Sequence, residues 1–464
     1  MLIPCSPAAR FQAALFVCVG MILQFALSVA GAGTIVDTHG FQIVRRLTGP
    51  QGSNSINPTW QVGIGGTDLG FSVNHNDKTY FLFGDTFASE ASEGSGGPDW
   101  RNNVMAYSTD TTPQNGITFD GWITRSNGTA RQVITPGNQS VTYIPTGGIS
   151  VGDKLYVWYM HVVDWSDWSL SHSGLSWWRE GDSQFTIVPN YKFQNPLGGD
   201  YSWGQGTQGG NFGMVAASYR SPLEDVDDDY IYIWGTPGGR EGGVKLARVL
   251  PSQIENLSAY RYFSGVSAFG TPLWGATELS GKKLVNAGVG EMSVMYNEAV
   301  GAWTMMYISG GSQPDFEIRQ APNPWGPWSD PITVADFSQA PGLYSPYMNP
   351  LYVEDGGRTV YFTMSLWNPY DVYLAKVTLD IEQPPIPGDF NSDGIVDGRD
   401  FLVWQQNPAI GNLADWQANY GNQPAAVESI PEPATAISAA ILAAVVFLRR
   451  QVTGRIVCDP AILC

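Results

Sequence analysis

Between residues 34 and 380 the chain repeats one hydrophobic–polar pattern: a run of small and apolar residues, a polar turn of Gly, Asp or Asn, and an aromatic-rich strand. The pattern occurs at 66–87, 143–162, 211–236, 290–309 and 344–366. A second strand pair follows most of these hairpins, at 104–110, 168–178, 243–249, 316–331 and 372–379. β-Branched and aromatic runs bounded by turn formers are strand signals. Five such units of about 60–80 residues, each with about four strands, predict an all-β, five-bladed β-propeller over 34–380. A β-sandwich would hold the same strands but gives no reason for the repetition.

The first hairpin, GTDLGFSVNHNDKTYFLFGDTF, carries an aspartate at each open end. Folded about Asn76 and Asp77, it sets Asp68 opposite Asp85, since both lie equally far from the turn. Opposed residues have Cβ atoms roughly 4.5–5.5 Å apart, and two carboxylates that close titrate at different pH. Such a pair can divide acid and base or nucleophile work at a glycosidic bond. Taken singly, each Asp beside Gly reads better as a turn former bonded to backbone amides. In a propeller both would face the mouth of the central channel. Glu291 begins the fourth inner strand, the place Asp68 has in the first, and is a third acid candidate. Arg240 and Glu241 are candidates for the channel mouth, and His161 reads equally as a channel-lining residue or as a packed or turn-bonding histidine. Trp203, Trp165, Trp168, Tyr344 and Tyr347 are candidates to stack on sugar rings, although most of the 17 tryptophans must be core.

The flanks read as address labels. Residues 1–32 form a secretory signal, with Arg10, the apolar run 11–29 and small residues before the cut. A proline-rich linker, 381–388, precedes 389–422. There Asp389, Asn391, Asp393, Asp397 and Asp400 take loop positions 1, 3, 5, 9 and 12, with Gly394 at 6 and the Ile395 carbonyl at 7. That is the oxygen-ligand pattern of a calcium-binding EF-hand loop; Asp400 stands where Glu is usual. Helices are expected at 401–407 and 413–420. A C-terminal apolar helix is expected at 434–448, after Pro431-Glu432-Pro433 and before Arg449-Arg450. Its 15 residues fall short of the roughly 20 that span a bilayer, and the arginines favour a cytoplasmic end.

Composition narrows the function. A net charge of −18 argues against nucleic acid and other polyanions. Cys5, Cys18, Cys458 and Cys464 are the only cysteines, so the body has no disulfide, no thiolate zinc site and no thiol nucleophile. Gly148-Ile-Ser150-Val-Gly152 matches a nucleophile-elbow pattern but runs into a strand rather than a helix, and no histidine is tied to Ser150 by sequence. Asp225–Asp229 reads as a solvated acidic loop. His172 sits in LSHSGLSWW, which looks like a decayed Asp-box turn.

GGTDLG, GDTF, the YIPTGGISVGDKLYVWYM block, GEMSVMYN and NPWGPWSDP together resemble the propeller family known as domain of unknown function 4185, over roughly residues 45–380. Some members are endo-D-arabinanases. The resemblance implies a sugar site in the central channel and paired acids near the start of the propeller, which Asp68 and Asp85 match; the roles expected of them are nucleophile or base for Asp68, acid partner or pKa modulator for Asp85, with Glu291 as a further acid. Residues 389–422 resemble a type I dockerin, which implies one bound calcium and a cohesin-like partner, although dockerins usually carry two loops. The end, 431–450, resembles a PEP-CTERM sorting tail. It implies processing by an exosortase and release at the surface or matrix of a Gram-negative bacterium. The leading expectation is a secreted glycoside hydrolase acting on a polysaccharide, possibly arabinan-type. The alternative is a non-catalytic carbohydrate-binding or matrix propeller.

Overall fold

The computed structural model describes residues 32–89, 96–137, 141–164, 169–194, 211–219, 230–286 and 288–421. Residues 1–31 of the expected signal, Trp165, Trp168, Trp203, Asp225–Asp229 and the whole of the expected tail, 431–450, lie outside them. Among the described residues no helix is long and apolar enough to cross a membrane.

Five antiparallel sheets follow one another along the chain. Blade one comprises Gly66–His75, Lys78–Phe87, Val104–Ser108 and Gly121–Trp122. Blade two is built on Thr142–Val151, Lys154–Asp164 and Ser169–Trp178, and blade three on Met214–Tyr219, Ile231–Thr236 and Val244–Val249. Blade three is widened by the hairpin of Arg261–Val266 and Pro272–Gly275. Blade four runs Val289–Asn297, Ala302–Ser309, Phe316–Ala321 and Ile332–Ala335. Each innermost strand packs against the next, and the fifth, Leu343–Glu354, returns to the first, so the ring closes as the repeat predicts.

Closure uses a strand that the repeat did not reveal. Thr34–Arg46 forms the outer strand of blade five, antiparallel to Asp371–Glu382 and running from Thr34↔Glu382 to Arg46↔Tyr373. Its one-sided exposure hides it in the sequence: most of its residues are exposed or half-buried. At its end Arg46 pairs with the fully buried Asp371, which also accepts the Thr48 hydroxyl at 3.0 Å. Thr48 accepts in turn from the Val372 amide at 2.9 Å.

The core lies between blades. Phe81, Phe83, Val104, Tyr352, Tyr361 and Leu374 fill the space between blades one and five. Trp234, Trp303, Met305 and Tyr307 fill that between three and four, where the two indoles lie 5.2 Å apart. Neighbouring inner strands approach closely at Gly147. A Cβ on Gly147 would stand 2.2 Å from the Val215 carbonyl oxygen of the neighbouring inner strand.

Ser169–Trp178 is a continuous strand rather than an Asp-box turn, and buried His172 pairs across it with His161. Two short helices, Gly398–Gln406 and Leu413–Asn419, come after residues 381–388; the first begins three residues before the expected 401.

Replacing Arg46 by Leu removes the cation from a buried carboxylate and should cost about 3–5 kcal/mol. The urea midpoint should fall accordingly, and Arg46→Leu with Asp371→Asn should recover much of the loss. Equal midpoints for the single variant and wild type would refute this.

Candidate active site

A cavity of about 570 Å³ opens at the axis, and every blade contributes to its wall. Asp68 and Asp85 come from blade one, Thr146 and Met160 from blade two, Met214 from blade three, Glu291 from blade four, and Tyr344 and Tyr347 from blade five. The two aspartates thus share one cavity, but not as an opposed pair. The ladder keeps the symmetric register at Thr67↔Thr86 and from Phe71↔Leu82 to His75↔Lys78, and slips on both sides of Leu69. Asp68 stands in this bulge. Leu69 and Gly70 take left-handed φ values of 65° and 74°; for Leu such a φ carries a strain of about 1–2 kcal/mol. The Leu69 amide is held by the Ser365 hydroxyl at 2.9 Å. Bulges re-aim side chains next to active sites, and here the Asp68 carboxylate folds over Gly84, where a Cβ would approach its Oδ1 to 2.3 Å. A larger residue there would displace the Asp68 carboxylate.

The two carboxyls have different partners. Asp68 Oδ2 accepts the Tyr344 hydroxyl at 3.2 Å, and the Tyr370 hydroxyl also bonds to this carboxyl. Asp68 Oδ1 is buried with no hydrogen-bond donor among the described residues. Burial and the neighbouring Asp85 charge push the Asp68 carboxyl well above the usual carboxylate range, against the tyrosine hydroxyls. A buried carboxyl oxygen with no donor is tolerable in the neutral acid and costly in the anion. Asp85 is 5% exposed, and its Oδ1 accepts both the Thr142 hydroxyl and the Trp100 indole N–H at 2.7 Å. Burial raises it to about 6, with those two donors holding it from rising further. Asp85 therefore ionises first and Asp68 keeps its proton.

Glu291 reaches the same cavity but is not a free acid. Arg240 holds it bidentately, Nε to Oε2 and Nη2 to Oε1, each at 3.1 Å. The Arg240 guanidinium lies 5.8 Å from the Tyr344 ring centroid. Neighbouring Glu241 is exposed. Tyr344 and Tyr347 line the cavity as expected, yet both are nearly buried, and Tyr344 serves by its hydroxyl rather than its face. His161 does not line it: Met160 faces the cavity, and the adjacent His161 stacks on Tyr143, 5.0 Å between centroids, against His172. Burial, then His161, then Lys192 lower His172 to about 4. Trp100, Thr142 and Tyr370, which bond to the acids from turns or neighbouring strands, and Trp367 were missed, because none sits in a motif. Trp367 lines the cavity and is 50% exposed.

The tertiary fold does bring a histidine to Ser150. His75 Nδ1 lies 2.7 Å from its Oγ, an inter-blade bond at the hairpin-turn ends of the two inner strands. The GISVG segment is a strand entering a tight turn, so the nucleophile-elbow geometry is absent, as expected.

In the 389–400 loop the side chains fold onto the loop's own amides. Asp389 accepts from Asp393 and Gly394, Asn391 from Asp393, Asp393 from Ile395, and Asp397 from Arg399. Buried Asp400 accepts from Phe390, Asn391 and Asp397. The donor set is all oxygen, which suits calcium. No group of three or more His, Cys, Asp or Glu among the described residues is gathered so as to hold a metal.

Comparison with known proteins gives the following. No curated protein sequence matches. Among solved structures, a protein of Bacteroides ovatus assigned as a hydrolase superposes with a TM-score of 0.48 at 13% identity, covering 68% of this chain and 86% of its own. Exo-β-1,3-galactanase of Phanerochaete chrysosporium gives 0.41 at 10% identity, covering 73% of this chain and 64% of its own. An α-L-arabinofuranosidase of Clostridium thermocellum also gives 0.41 at 10% identity, covering 68% and 94%. One family model matches residues 54–376, from the segment before blade one to the last strand of blade five, and by that match the chain belongs to the family described as domain of unknown function DUF4185.

Proposed function

We propose that this chain is a glycoside hydrolase acting on an extracellular polysaccharide, with Asp68 as the proton donor and Asp85 as the ionised base or nucleophile. One observation carries the reading: two carboxyls of one hairpin face one axial cavity with unequal proton affinities. Cleavage of a glycosidic bond needs a protonated acid at the leaving oxygen and a carboxylate acting on the anomeric carbon or on water. Near neutral pH the partners of Asp68 and Asp85 favour those two states. This reverses the division of labour expected from the sequence, because the orphan oxygen belongs to Asp68 and the two strong donors to Asp85. Arg240, pinned by Glu291, together with the hydroxyls of Tyr344 and Tyr347, would orient sugar hydroxyls.

Incubation with a polysaccharide panel and measurement of new reducing ends tests this. Asp68→Asn and Asp85→Asn should each lower kcat by about 10²–10⁴, with wild-type activity falling off below about pH 6 as Asp85 takes up its proton. Glycan binding with no reducing ends released by wild type would leave a binding module instead.

The same groups make a stability prediction. The folded Asp85 binds a proton up to about pH 6, and the unfolded one only to about 3.9. The folded state therefore holds more protons in that window, and stability falls as pH rises through it, by about 3 kcal/mol for a two-unit shift. Asp68 acts in the same direction. Asp85→Asn should melt above wild type at pH 7 to 8, with the gap closing near pH 4; a lower melting temperature at both pH values would contradict the assignment.

The loop Asp389–Asp400 supports calcium binding as part of the same proposal, with Asp389, Asn391, Asp393, the Ile395 carbonyl, Asp397 and Asp400 as the oxygen donors. The Trp416 indole donates to the Asp397 carbonyl at 2.6 Å and packs on Phe401, so ordering of the loop has an optical reporter. Calcium added to chelator-treated protein should change tryptophan emission, and Asp389→Ala with Asp393→Ala should abolish the change; identical titrations would end the calcium reading.

A further inference from the structure

Trp367 stands half-exposed on the cavity wall, and the proposed chemistry gives it no task. Among the described residues it is the only exposed large apolar side chain of that wall; Met160, Leu170, Met214 and Met292 are buried, and Phe337 is half-buried. It therefore marks the side on which the cavity meets solvent. Trp367 opens the turn between Thr359–Leu366 and Asp371–Glu382 in blade five. Both ends of this turn are tied. The Trp367 amide donates to the Gly342 carbonyl at 2.8 Å, and the Tyr370 carbonyl accepts from the Thr67 amide of blade one at 3.0 Å. The rings of Trp367 and Tyr370 meet nearly at right angles, 88° between planes and 5.8 Å between centroids. The Tyr370 hydroxyl in turn bonds to Asp68. An indole so anchored is a preset apolar face one side chain away from the acid. Such a face matches the C–H side of a sugar ring, and little side-chain freedom is lost on binding.

Charge limits what that ring can carry. The wall holds three carboxyls, Asp68, Asp85 and Glu291, against one arginine, Arg240, which Glu291 already grips through both oxygens. A uronic acid would meet like charge there, and no unpaired lysine or arginine lines the wall among the described residues. We propose that Trp367 is the platform on which an uncharged sugar unit of the substrate stacks at the cavity entrance, and that the cavity prefers neutral glycans to uronate glycans. The proposal rests on the reading of the cavity as a sugar site.

Trp367→Ala removes the platform, and Trp367→Phe keeps an aromatic face. Stacking that is equal in the ground and transition states acts on KM alone. Trp367→Ala should raise KM about tenfold with kcat within about threefold of wild type, and Trp367→Phe should recover most of the loss. The pH dependence of the melting temperature, which follows Asp68 and Asp85, should be unchanged in both variants, because the acids take their hydrogen bonds from other side chains. A profile shifted in both variants would make Trp367 a prop for Tyr370 and overturn the platform. Calorimetry needs no turnover. Wild type should bind a neutral arabino-, xylo- or galacto-oligosaccharide at least about tenfold more tightly than oligogalacturonate, and Trp367→Ala should lose about tenfold of the neutral affinity. If those results hold while wild type releases no reducing ends, the hydrolase reading fails and this inference stands. If wild type cleaves a glycan while Trp367→Ala keeps the wild-type KM and affinity, this inference fails and the hydrolase reading stands. Equal or tighter binding of oligogalacturonate, or no oligosaccharide bound by wild type, also overturns it.

Discussion

Everything at the centre of this molecule depends on the ring being closed. Thr34–Arg46 is the first strand in the chain and the outer edge of the last blade, hydrogen-bonded along Asp371–Glu382. An open row of five sheets would leave the inner strand of blade five free of blade one. Tyr344, Tyr370 and the Ser365 hydroxyl would then have no reason to meet Asp68. Closure sets those contacts over a separation of nearly the whole propeller. The buried Arg46–Asp371 pair and the Thr48 clasp fix its final residues.

Within that frame, the site is made by departures from regularity. A regular hairpin would have set Asp68 and Asp85 side by side. The bulge at Leu69, held in a left-handed conformation, instead folds Asp68 over Gly84 and leaves one of its oxygens without a donor. Desolvation then does to the two acids what mutual repulsion alone would do less selectively. It raises both, and the two donors on Asp85 keep it the more acidic. Such an arrangement destabilises the folded chain at neutral pH, and the packed blade interfaces offset it. Strain and buried acids gathered in one cavity are the observations behind the proposed function.

The blades were legible because each repeats a local rule: polar turn, aromatic strand, polar turn. Asp68, Asp85, Glu291 and Arg240 were expected at the channel from their positions on inner strands or turns, Tyr344 and Tyr347 for their aromatic faces, and all six were found lining the cavity. His161 was not, since strand alternation turns it to the other face of its sheet while Met160 faces in. His172 looked like a turn residue because its motif survives in a segment that the sheet holds straight. The first strand escaped notice because an edge strand with little buried surface carries little apolar pattern.

The sequence by itself determined the number of blades, the hairpin that carries the acids and the identity of the acids, because hydrophobic pattern and turn chemistry act over a few residues. The tertiary structure alone decided how those acids differ. Which carboxyl keeps an oxygen without a donor, which gains the Trp100 and Thr142 bonds, and which glutamate is tied up by arginine depend on side chains delivered from other strands and turns. Proton affinity in a cavity is set by desolvation and by neighbours in space, and no local pattern in the chain encodes either.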